Sequence, residues 1–151
     1  MAVRVEEADF DLGTELVALR GARRDIGAIV TFTGLVRDLA GGEAVTDMVL
    51  EHYPGMTERA LCAIEAEAAT RWPLQASLIV HRYGRLFPGD QIVLVAAASA
   101  HREAAFAAAA FMMDYLKSRA PFWKKEARPS GAQWVDAREA DSVAEARWSE
   151  V

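Results

Sequence analysis

The sequence predicts a mixed α+β fold, with about three helices and six or seven strands. Three observations predict it. Short β-branched or alternating runs, bounded by glycine and proline, recur along the chain. Two longer segments, 57–72 and 101–118, carry apolar residues at helical spacing. The runs at 76–84 and 91–99 are neighbours across a Pro-Gly turn and so predict an antiparallel hairpin.

In chain order, residues 3–6 predict a short strand. "DLGTELVALRG" predicts a short helix, capped by Thr14 and ended by Gly21. "GAIVTFTG" (27–34) is β-branched and glycine-bounded, hence a strand. "VRDLAGGEA" follows, with Gly41-Gly42 marking a mobile loop. "VTDMVLEHY" (45–53) alternates as a strand, and Pro54-Gly55 turns the chain. The helix from Thr57 to about Trp72 places Leu61, Ile64, Ala68 and Trp72 on one face, and Pro73 stops it. "ASLIVHRYG" and "QIVLVAAAS" are the hairpin strands, with a type II turn in "LFPGDQ". A helix spans His101 to Ser118. "PFWKKEAR" (121–128) is a strand, "PSG" turns, and "AQWVDA" (132–137) returns. The charged tail 137–151 is expected to be a short helix or partly disordered.

Bulk properties narrow the class. The 151 residues suit a single domain, 1–151, and 52% hydrophobic with 26% charged residues is a soluble globular profile. Net charge −5 argues against a nucleic-acid partner, which asks for a basic footprint. The N-terminus lacks the apolar core run of a signal peptide, and "AAFAAAAFMM" is too short and alanine-rich to span a membrane, so a cytoplasmic location is expected. A single cysteine, Cys62, excludes an internal disulfide and is expected to be a small buried hydrophobe. His52, His81 and His101 show no metal-binding spacing, and His52 and Tyr53 read as structural.

The candidate chemistry gathers around the 101–118 helix. Phe106, Ala110, Met113 and Lys117 share one face, and Ala105, Ala108, Met112 and Tyr115 another. A helix apolar on two faces is buried twice, in its own core and against a second subunit. Lys117 ends one stripe, where a packed stem with its head in water and a catalytic ammonium are both open readings. At the other end, "SAHRE" puts His101 and Arg102 in the first turn, with Ser99 as N-cap. Cations there oppose the helix dipole unless an anion binds, which the free N–H groups already favour. In "PFWKKE", strand alternation sets Phe122, Lys124 and Glu126 on one face and Trp123 and Lys125 on the other. Lys124 and Glu126 form either a solvated ion pair or a lysine held by a carboxylate beside a pocket. Arg37 precedes the glycine loop, where an arginine can close over a phosphate. These residues describe an enzyme or a non-catalytic binder acting on a phosphorylated small molecule.

"VTFTGLVR", "LEHYPGMTE", "RWPL", "HRYGRLFPGD", "SAHR" and "MDYLKSRAPFWKKE" closely resemble, in family order from about Gly27 to Trp134, the large catalytic subunit of molybdopterin synthase. The resemblance implies an α/β hammerhead fold with an additional antiparallel β subdomain. It implies a homodimer at the centre of a heterotetramer, with a small ubiquitin-like sulfur-carrier subunit at each end. The carrier's C-terminal thiocarboxylate donates two sulfurs to cyclic pyranopterin monophosphate (precursor Z), giving the dithiolene of molybdopterin without metal or organic cofactor. Carried over by motif, Lys117 and Lys124 are the catalytic lysines. Lys125 and Glu126 complete the pocket, and His101 and Arg102 bind the substrate anion across the dimer interface. Leu35, Val36 and Arg37 supply the third side of that site. Leu35 departs from the lysine of relatives, which leaves only backbone contact at that position.

Overall fold

The computed structural model describes residues 1–40, 42–135 and 139–149. The chain runs β1 (Ala2–Glu6), α1 (Leu12–Arg20), β2 (Ala28–Leu35), β3 (Leu39–Ala40), β4 (Glu43–Ala44), β5 (Asp47–His52) and α2 (Met56–Arg71). It continues β6 (Leu74–Arg82), β7 (Gly84–Leu86), β8 (Gln91–Ser99), α3 (Arg102–Arg119), β9 (Phe122–Arg128), β10 (Gly131–Val135) and α4 (Glu139–Ala146). The expected mixed α+β class holds, and no helix among the described residues is long and apolar enough to cross a membrane.

The main sheet has the order β1-β6-β8-β2. Its centre is the expected hairpin: β6 and β8 pair antiparallel from Leu74↔Ser99 to His81↔Val93. β1 adds parallel to β6, and β2 adds antiparallel to β8. Both central strands are apolar on both faces because both faces are covered. Ile79, Val93, Val95 and Ala97 pack under α2 and α3, against Leu61, Ile64, Phe111 and Met112. The alternate residues Leu78, Val80, Leu94 and Ala96 pack with Phe10 beneath α1. Period-two alternation thus builds two cores from one hairpin.

A second sheet, β10-β9-β5-β7, is wholly antiparallel. Its inner face buries Met48, Leu50 and Leu86 with Val36. β7 links the two sheets: between β6 and β8 the chain leaves the main sheet and pairs Gly84–Leu86 with β5. Three residues are too few to show alternation, so the sequence offers no sign of this strand. The Pro-Gly turn that follows is closed by Asp90 N donating to Phe87 O at 2.9 Å, with Gly89 at φ 92°, as a type II turn requires.

Several local expectations are corrected. Asp11, not Thr14, caps α1, its carboxylate accepting from Thr14 N at 2.8 Å. Ser99 does not cap α3; it is fully buried at the end of β8 and donates to Pro73 O at 2.8 Å, leaving His101 at the N-cap. Cys62 is exposed, because Leu61, Ile64 and Ala68 take the inward face of α2 and Cys62 falls on the other. The 38–44 segment carries a minimal β3–β4 hairpin, with Gly41 itself outside the described residues. Asp136 and Ala137, read as the end of the returning strand, also lie outside them, as do 138, 150 and 151 of the tail. The described tail is the helix α4, held to α3 by Arg119–Glu145 (2.5 Å) and by Trp148 Nε1 donating to Asp114 (2.7 Å).

Candidate active site

Three layers of structure meet at the C-terminal end of α3. The inner face of the second sheet contributes Met48, Leu50, Phe122 and Lys124. The end of α3 contributes Leu116 and Lys117, and the ends of the two central strands of the main sheet His81 and Ile92. Together with Ala120, Val135 and Asp141 they line a cavity of about 190 Å³. A second cavity of about 210 Å³ shares Met48, Ile92, Lys117, Lys124 and Asp141, and adds Leu35, Val36, Arg37 and Glu126. The two lysines therefore arrive from a helix and a strand at one place. Six of the nine residues singled out from sequence, Leu35, Val36, Arg37, Lys117, Lys124 and Glu126, line the second cavity.

Register explains the lysine positions. Lys124 lies opposite Leu50, and Glu126 opposite Met48, on the buried side of the second sheet. Lys125, opposite Val49 and Trp134, is on the outer face, with its ammonium 5.4 Å from the Trp134 ring centre. Within this chain Lys125 therefore points away from the cavity it was expected to complete. Glu126 is 7% exposed, and its recorded ion pair is with Arg128 at 2.6 Å, so the carboxylate engages Arg128 rather than Lys124. Arg37 is positioned by backbone: Val36 N donates to Asp90 O (2.9 Å) and Gly89 N to Val36 O (2.8 Å), clamping the end of β2 to the Pro-Gly turn.

His101 and Arg102 lie elsewhere. They open α3 while Lys117 closes it, and at 1.5 Å per residue the ends are roughly 22 Å apart. His101 has extended φ −128°, ψ 143° and no side-chain cap, so the first-turn N–H groups of α3 stay available. The only acidic residue of that turn is Glu103. One chain cannot bring this pair to a small ligand held by its own Lys117.

Two titratable cavity residues escaped sequence reading. His81 is 5% exposed, and its ring stacks on Phe122 at 3.7 Å and 17°. Its Nδ1 lies 2.8 Å from Arg82 O. Burial, above all, drives its pKa down to about 4, with Lys117 and His52 pushing the same way. Strand alternation in "LIVHR" was the available signal, since it puts His81 in line with Ile79. Asp141 comes from the tail, where nothing in the sequence tied it to the lysines. His52, by contrast, has the structural role expected of it, with Nδ1 3.0 Å from Thr57 Oγ1.

Fold and cavity together define an α+β protein that gathers two lysines and an arginine at one cavity. A sequence model of the MoaE protein family matches residues 5–119. The chain is 60% identical over 146 residues to the "Molybdopterin synthase catalytic subunit" of Ralstonia nicotianae, covering 97% of this chain and 83% of that one. Among solved structures, a MoaE protein from Burkholderia ambifaria superposes with TM-score 0.84 at 56% identity, covering 98% of both chains. A molybdopterin synthase from Staphylococcus aureus does so with TM-score 0.82 at 31% identity, covering 88% of this chain and 96% of that one. The chain belongs to the MoaE family.

Proposed function

We propose that this protein is the catalytic subunit of a molybdopterin synthase, a sulfurtransferase of molybdenum cofactor biosynthesis. It converts precursor Z to molybdopterin with two sulfurs transferred in turn, each from the C-terminal thiocarboxylate of a small ubiquitin-like carrier. The observation that carries the reading is the meeting of Lys117 and Lys124 in one cavity of a MoaE-family chain. The reaction is placed in the cytoplasm, within a heterotetramer built on a dimer of this chain, and calls on no metal or organic cofactor.

In this reading the cavity mainly positions two anions, the carrier's thiocarboxylate and the cyclic phosphate, so that sulfur faces the carbon it attacks. Lys117 and Lys124 hold them at the shared cavity, and Lys117 stabilises charge as the cyclic phosphate opens. Arg37 binds phosphate from the end of β2. His101 and Arg102 come from the second subunit, which answers their distance from Lys117. Lys125 serves at the outer face of β9.

Lys117→Ala and Lys124→Ala should each lower dithiolene formation by about a hundredfold or more while leaving thermal unfolding unchanged. Near-wild-type turnover in both variants would overturn the assignment. A non-catalytic binder of a phosphorylated ligand is excluded if the chain, mixed with thiocarboxylated carrier and precursor Z, yields dithiolene.

A further inference from the structure

His81 has no part in the function proposed above, yet it lines the cavity that Lys117 and Lys124 share. Its position follows from pairing. His81 lies opposite Val93 at the end of β6, on the sheet face that α3 covers, and the last turn of α3 carries Lys117. The ring is fixed on one side by the Phe122 stack. At its edge, Nδ1 is 2.8 Å from Arg82 O. A carbonyl oxygen only accepts, so Nδ1 carries the proton and the lone pair is on Nε2. The ring stays neutral at physiological pH, because burial and the charge of Lys117 oppose a second proton. The charged and titratable groups around it are Lys117 from α3, His52 from β5, Lys124 from β9 and Asp141 from α4.

We propose that His81 is a positioning residue: its Nε2 accepts a hydrogen bond from the Lys117 ammonium and aims that group at the bound anion. An ammonium has three protons to direct and a flexible four-carbon stem. A carboxylate in this place would hold the ammonium but cancel its charge. A neutral imidazole holds it without taking up any of its charge. Its basicity is too low to take the proton away from lysine. The role rests on the sulfur-transfer reading only in what Lys117 is aimed at; the hydrogen bond itself is inferred from the shared cavity and from the tautomer that the Arg82 carbonyl imposes.

Two substitutions separate this contact from the ring's internal bond. His81→Asn keeps an N–H near Arg82 O and removes the acceptor from the cavity. His81→Gln keeps an acceptor at the reach of Nε2 and gives up the bond to Arg82. Sulfur transfer should fall about ten- to hundredfold in His81→Asn, the range of a charge-assisted hydrogen bond, and only a few-fold in His81→Gln. In a Lys117→Ala background, under single-turnover conditions, His81→Asn should cost nothing further. The reverse order, equal losses in the two variants, or no loss in either would overturn the proposal. So would the same loss with and without Lys117, which would mean that His81 acts on the ligand directly. A readout without turnover distinguishes failure here from failure of the functional reading. In ¹⁵N-lysine-labelled protein the Lys117 ammonium resonance should move in His81→Asn and hold its place in His81→Gln. An unmoved resonance in His81→Asn overturns the contact even if wild-type protein makes dithiolene. A moved one sustains it even if wild-type protein does not.

Discussion

Glu65 shows how much one side chain is asked to tolerate. It sits on the inward face of α2, 5% exposed, and accepts from Ser77 Oγ at 2.6 Å and from Ala2 N at 3.2 Å. Burial raises its pKa above 4.5, and the two hydrogen bonds and the N-terminal charge offset only part of that rise. A carboxyl whose folded-state pKa is raised favours folding most when protonated. Its contribution is therefore complete below the unfolded value and is lost as pH rises through the folded one. Glu65→Gln should remove this pH dependence and change unfolding free energy near neutral pH by less than about 1 kcal/mol. Denaturant titrations at mildly acidic and neutral pH would check it. A similar economy governs what sequence reveals about single residues. Lys117, Lys124 and Glu126 announce themselves as charges within apolar patterns. His81 does not, since one histidine at the end of a buried strand has no local sign of what lies across from it. Cys62 misleads because its neighbours on both sides are alanine and leucine, and only the register of α2 shows which of them point inward.

Elements are placed by backbone contacts that composition does not record. Gly27 reads as the boundary of a strand, but its reason is proximity: a Cβ there would lie 2.1 Å from Ala100 O, while Gly27 N donates to Ser99 O at 2.9 Å. The opposing atom is backbone and has nowhere to go. Gly27→Ala should destabilise the fold by about 1–3 kcal/mol, and each kcal/mol lowers the melting temperature by roughly 2–4 °C in a chain of this size. It should also disturb the start of α3, so the anion affinity proposed for His101 and Arg102 should fall together with stability. Calorimetry and phosphate titration on one sample would show both. The long strands and helices were legible because their periods repeat over many residues. β7 and the β3–β4 hairpin were not, because they exist only through pairing with distant or very short segments. Which sheet each strand joins, and hence that Lys124 faces Lys117, is a long-range fact.

At the scale of the whole molecule, the two halves of the proposed anion site lie at opposite ends of α3, and Phe106 on that helix is 62% exposed. An apolar ring left uncovered on a helix that buries Phe111, Met112, Met113 and Tyr115 fits a surface meant for a second copy. The sequence indicated this through a helix apolar on two faces. A complementation experiment tests it. Arg102→Ala and Lys117→Ala homodimers should both be nearly inactive. Refolded together in equal amounts they should recover roughly a quarter of wild-type turnover, since half the dimers are mixed and one of two sites in each is intact. If each site were built from one chain, mixing would restore nothing.

The helix α3 carries a residue of each half of the proposed site at its two ends, from His101 at its N-cap to Lys117 in its last turn. Inserting or deleting one residue between them would turn one end by about 100° against the other and shift it by about 1.5 Å. Homologues free to lengthen the Leu39–Ala44 hairpin or the tail should therefore keep the spacing from His101 to Lys117 unchanged. Gaps in that interval would mark chains that have given up the reaction while keeping the fold.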